Sequence, residues 1–144
     1  MQEQMKGLAA AEGMAWNHDH TPYLNTGAAH RLLHLAGSLD GAVQRDLWER
    51  LFSAHFVEEK HIGQPQTLAE VALAAGLPAD RVEQVLASDE FAEAVAADQR
   101  RAGALGANGV PFYVLGDKYG VSGAQPTEVL VRAIEQVWAE LAAS

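Results

Sequence analysis

Residues 106–126 read GANGVPFYVLGDKYGVSGAQP, from Gly106 to Pro126, and this stretch decides the fold. Gly106 stops whatever helix precedes it. Phe112 to Leu115 is a short apolar run, Gly116-Asp117-Lys118 has turn chemistry, and Tyr119-Gly120-Val121 is a second short run. Pro111 stands at the first residue of the first run, where a strand tolerates a residue with no N–H. Pro126 falls at the first turn of a final helix. The pattern is one β-hairpin followed by one helix. A lone two-stranded hairpin is marginal in water, so the Phe112–Leu115 strand calls for a neighbour that no other segment of this sequence supplies.

Upstream of Gly106 the periodicity is helical throughout. Gln2 to Glu12 is a modest helix stopped by Gly13, and Met14 to Tyr23 is irregular around Pro22. Asn25 or Thr26 caps a helix carrying the stripe Ala29, Leu32, Leu33 and Ala36. Asp40 caps a longer one, for which Val43, Leu47, Trp48, Leu51, Phe52 and Phe56 predict a wide buried face. After a loop at Gly63-Gln64-Pro65 come two short helices, the first closed by Gly76. Ser88 reads as the N-cap of a sixth helix, with Phe91 in its opening turn. On the last helix Val129, Leu130, Ala133, Ile134, Val137, Trp138 and Leu141 predict one buried side. The expected organisation is therefore a helical subdomain over 1–106 and a β-β-α part over 107–144.

Composition narrows the function. Nineteen acidic residues against ten basic ones give a formal charge of −9, which repels phosphate backbones and anionic lipid, so nucleic acid and membrane are poor partners. No apolar run is long enough to span a bilayer, and the N-terminus lacks a signal-peptide pattern; a cytoplasmic setting is expected. There is no cysteine, which removes disulfides, thiolate metal sites and a cysteine nucleophile.

The stretch GVPFYVLGDKYGVSGAQP, residues 109–126, resembles the C-terminal hairpin of the DsbA family of thiol–disulfide oxidoreductases, and most closely its FrnE-like branch. NTGAAHRLLHLA, residues 25–36, is similar to the helix start of that branch. The resemblance runs from about Met1 to Leu141. It implies an α+β, mostly helical fold: part of a thioredoxin-like domain, with its helical insertion and its last two strands and helix. The β-α-β portion bearing Cys-x-x-Cys has no counterpart here, so the chain is expected to be an N-terminally truncated piece, inactive by itself because exchange needs a thiolate.

In the family the Val110-Pro111 step corresponds to the cis-proline loop, an isomer that costs an X–Pro bond only roughly 0.5–1 kcal/mol. The resemblance assigns Val110 and Pro111 to substrate binding, with the Val110 backbone pairing to an extended peptide or unfolded protein. Asn25 and His30 are implied as site-facing, Asn25 serving equally well as a helix cap. No catalytic residue, metal or cofactor is expected. His30 and His34 have metal-compatible spacing but lack a third ligand; His18-Asp19-His20 reads as a solvated loop. His55, His61, Glu58-Glu59 and Asp89-Glu90 read as helix-end groups, and Ser122 as a turn residue. Three functions fit: a fragment of a DsbA/FrnE-like disulfide oxidoreductase or isomerase, a non-catalytic peptide-binding module built on the proline loop, and a piece of a kappa-class glutathione transferase-like enzyme. The unpaired strand edge also predicts a homodimer.

Overall fold

A computed structural model of the chain describes residues 2–17 and 24–143. Among them are seven helices and one hairpin. The helices are α1 (Gln2–Ala11), α2 (Gly27–Leu39), α3 (Gly41–Phe56), α4 (Pro65–Ala74), α5 (Ala79–Ala87), α6 (Ala92–Ala104) and α7 (Thr127–Ala142). Strands β1 (Phe112–Leu115) and β2 (Tyr119–Ser122) stand between α6 and α7. No helix of the described residues is long and apolar enough to cross a membrane. The irregular stretch around Pro22 and the His18-Asp19-His20 group lie outside the described residues.

The chain divides into two compact units, Met1–Val95 and Ala96–Ser144. The division falls inside α6, ahead of Gly106, where the sequence pattern changes from helix to hairpin. In the first unit α2 is the central helix. Leu32, Leu33, Leu35 and Ala36 of α2 are buried with Leu47 and Leu51 of α3, Leu68 and Val71 of α4, and Val82 and Val85 of α5. At about 25 cal/mol per Å² of apolar surface removed from water, this cluster is the main source of stability in the unit. Its corners are set by local chemistry. Asp40 ends α2 by donating its N–H to Ala36 O, and begins α3 by accepting from Ala42 N through Oδ1 at 2.6 Å. Such a cap satisfies an N–H that the helix itself leaves orphaned. Pro65 occupies the first position of α4, where its missing N–H costs nothing.

The structure departs from expectation around Ser88 and on α3. Ser88 does not cap α6: it terminates α5, its Oγ donating to Gln84 O and accepting from Glu90 N. Phe91 precedes α6 in a left-handed conformation, φ 64°, and its ring stacks on His34. The expected wide buried face of α3 is also narrower. Leu47, Leu51 and Ala54 are buried, but Trp48 and Phe52 are 38% and 49% exposed. The apolar arc of α3 is wider than the surface α2 and α4 can cover.

In the second unit β1 and β2 pair antiparallel with Phe112 opposite Ser122 and Leu115 opposite Tyr119. Gly106 closes α6 at φ 85°, with Gly106 N–H donating to Gly103 O and Ala107 N–H to Ala102 O, a paired closure that needs a residue at ease in the left-handed region. Gly116 and Asp117 both have positive φ and Lys118 N–H returns to Leu115 O, so the hairpin reverses through a mirror-image turn matching strand twist. Helix α7 packs against β1. Of its apolar side only Val137 is buried; Ile134, Trp138 and Leu141 are more than half exposed. The expected buried side of α7 is thus mostly open, because a two-stranded sheet is too narrow to cover it.

Candidate functional site

The hairpin presents its chemistry at one edge. Gly123 N–H donates to Pro111 O at 2.9 Å, which makes Pro111 and Gly123 a hydrogen-bonded pair just beyond the ladder. Antiparallel pairs alternate, so Tyr113 with Val121 is the next bonded pair, and the main-chain groups of Phe112 and Val114 turn to the other side. That side carries no strand among the described residues. Val110 stands just beyond this row, in the bend that leads into β1. The Val110–Pro111 bond is cis, Val110 is 96% exposed, and neither its N–H nor its C=O is paired among the described residues. An extended chain laid along this edge would meet a run of unsatisfied donors and acceptors.

Below the edge is an open groove of about 410 Å³, walled by Leu105, Val110, Phe112 and Val114, with Arg101 and Asp117 at its margin. The Arg101–Asp117 pair is wide, at 3.7 Å, and well exposed, so it contributes little to stability. The groove follows from strand geometry: Phe112 and Val114 alternate with Tyr113 and so share a face. Gly120 lets the Phe112 ring lie across β2, where a Cβ at position 120 would stand 2.7 Å from Phe112 Cζ. Ser122 is exposed, and its carbonyl accepts from Gln125 Nε2 at 2.7 Å, tying the hairpin exit toward α7.

A second polar cluster braces β2 to α7. Tyr119 Oη donates to the Glu140 carboxylate at 2.8 Å, and Lys118 Nζ approaches the same carboxylate at 3.1 Å. The Tyr119 hydroxyl, then Lys118, hold the Glu140 carboxyl below its ordinary value, while contact with Tyr119 and Glu140 raises the Lys118 ammonium. Sequence reasoning missed this cluster. Glu140 is 21 residues from Tyr119 and 22 from Lys118, and no local rule couples positions so separated.

The other expected site residues lie in the first unit. Asn25 Oδ1 accepts from Gly27 N–H at 2.9 Å, the capping geometry at the start of α2, while Thr26 makes no side-chain cap. His30 is exposed and meets the Trp48 ring edge-on at 6.0 Å. His34, one turn on, lies flat on Phe91. The two histidines thus point to different aromatic neighbours. Among the described residues no group of three or more His, Asp or Glu could hold a metal ion. Glu58 pairs with Lys60 at 2.8 Å, and Lys60 and Ser53 hold its carboxyl below the ordinary value. A thiolate is excluded outright by the sequence.

Three matches to known proteins bear on the chain. The model of a family described as DSBA-like thioredoxin domain matches residues 1–135. Among solved structures, a probable DsbA oxidoreductase from Streptomyces coelicolor is 40% identical, with a TM-score of 0.86 over 96% of this chain. The chain spans 59% of the length of that protein. A proposed protein disulfide isomerase from Nitrosomonas europaea shares the fold at 20% identity, with a TM-score of 0.75 over 96% of this chain and 72% of its own. No curated protein matches the sequence.

Proposed function

We propose, because this chain belongs to the family of DSBA-like thioredoxin domains, that it is the strand-recognition part of a FrnE-like thiol–disulfide oxidoreductase whose exchange site lies outside these residues. The observation that carries the reading is the open edge at Val110, with its exposed side chain and unpaired backbone beside Pro111. An extended peptide or unfolded polypeptide is the substrate class this edge suits, since added-strand recognition draws its affinity from main-chain hydrogen bonds. Pro111 shapes the loop and leaves Val110 as the residue that pairs. Exchange itself requires attack by a thiolate on a disulfide sulfur, and with no cysteine the chain supplies recognition without that step. The larger Streptomyces relative, a probable DsbA oxidoreductase, supports this reading. The cell interior is the proposed compartment, in keeping with a sequence that has no disulfide to form.

A labelled extended peptide read by fluorescence anisotropy tests the recognition half. Val110→Pro removes the unpaired donor at a residue whose side chain touches solvent, so the hairpin's far-ultraviolet spectrum should persist while the peptide binds about tenfold more weakly. Unchanged affinity would sink the assignment. The chain should not reduce insulin, and any thiol-dependent turnover would overturn the catalytic half. A second reading, a non-catalytic peptide-binding module, is favoured by the edge being complete without a thiol. Translation of the coding DNA upstream separates the two: an in-frame Cys-x-x-Cys supports the oxidoreductase, and its absence supports the module.

A further inference from the structure

A different cavity lies in the first unit, between α1 and the last turns of α3. It holds about 600 Å³, within the range of sites for small organic molecules. Its floor is aromatic. Trp16 stacks on Phe56 with centroids 5.0 Å apart, and Phe52 stacks on Phe56 at 6.1 Å. Met5 and Met14 form the flexible wall, 42% and 60% exposed, and thioethers adapt readily to aromatic guests. The geometry is held by the backbone. Met14 N–H closes onto Ala9 O, Asn17 N–H donates to Phe56 O, and Asn17 Nδ2 donates to Val57 O, which seats the Trp16 segment over the end of α3.

The charge of the lining has one sign. Its ionisable groups are the carboxylates of Glu12 and Glu49, with no Lys, Arg or His among the lining residues. Glu12 follows the α1 residues Met5, Leu8 and Ala9 at helical spacing, and Glu49 precedes Phe52, Ser53 and Phe56 in the same way, so one carboxylate falls on the cavity flank of each helix. Glu12 and Glu49 are both exposed and stay hydrated at the rim, so a neutral guest gains nothing from them. A guest bearing a positive charge is attracted to both and also meets the negative faces of the rings.

We propose that this cleft is a binding site for a small amphipathic cation, an apolar and preferably aromatic body carrying one protonated nitrogen. The site is independent of the hairpin edge and of any thiol chemistry.

Three matched probes test it at neutral pH: phenylbutylamine, phenylbutanol and phenylbutyrate, followed by the methyl resonances of the methionines. The amine should shift Met5 and Met14 saturably and bind about tenfold more tightly than the alcohol, with the acid weakest. In a Glu12→Gln, Glu49→Gln double variant the amine should lose its advantage while the alcohol binds as before. Phe52→Ala, at a half-exposed position, should weaken amine and alcohol alike. Equal affinity of amine and alcohol in the native chain overturns the proposal. So does an advantage that survives the double variant, or the absence of any saturable shift. A cleft filled by a second copy also overturns it, seen as a dimer that Phe52→Ala dissociates while the probes shift nothing.

Discussion

A methyl group added at Gly116 would stand 2.8 Å from Val137 Cγ1, at a backbone φ of 60°. Both the left-handed conformation and the clash oppose Gly116→Ala, which should cost about 1–2 kcal/mol from the backbone alone, read as a lower urea midpoint for the second unit. Gly120→Ala should instead dislodge the Phe112 ring, seen as loss of its ring-current shifts on β2. At Glu140 the effect depends on pH. Its carboxyl is held below the ordinary 4.5 by Tyr119 and Lys118, so its stabilising contribution is complete above that value and is lost as pH falls through the lowered one. Lys118 is raised from 10.5, so its share is present below that value and is lost as pH rises through the higher one. Glu140→Gln should flatten the acid limb of hairpin stability, and an unchanged acid limb would refute the pairing. The turn at Gly116-Asp117 was legible in the sequence because its chemistry is local. The Tyr119–Glu140 contact was not, because only packing of α7 on the hairpin creates it.

A half-buried cation helps join the elements of the first unit. Arg31 Nη1, on α2, donates to Val85 O at 2.6 Å and also to Ser88 O and Glu90 O, gathering the carbonyls that end α5. Arg31→Ala should cost roughly 2–3 kcal/mol, as charged hydrogen bonds to half-buried carbonyls do. Lysine should restore only part of it, since an ammonium is more strongly hydrated than a guanidinium and loses more on leaving water; urea denaturation checks both. This latch also explains why Ser88 misleads as a cap. A serine followed by acidic residues is the mark of a helix start, yet the carbonyl cluster around Arg31 draws the segment into a bend and defers α6 to Ala92. The stripes on α3 and α7 teach a related lesson. Periodicity identified which faces are apolar, including Phe52 and Trp138, but carries no information on what covers them, and in both helices the arc exceeds the available partners.

For the whole molecule, the family was legible because Gly-Val-Pro-Phe and Tyr-Gly-Val-Ser-Gly mark a hairpin whose turn, proline and glycine positions are each physically constrained. The division into units was less so, since α6 continues across it with unbroken helical periodicity. The open edge of β1 is expected to pair two copies at high concentration. Sedimentation should show a concentration-dependent dimer that Val114→Lys returns to monomer, and a native chain that stays monomeric would argue against edge pairing. The two units also differ in how much they hide from water. Every residue of the large core cluster belongs to the first, whereas among the described residues of the second only Val137 is buried. Unequal burial implies unequal opening rates. Amide protons on β1 and β2 should therefore exchange with deuterium long before those of α2, and a protease should nick the hairpin while the four-helix core is still intact. Any partner seated along the edge would slow both processes, so protection of the hairpin is itself an assay for occupancy.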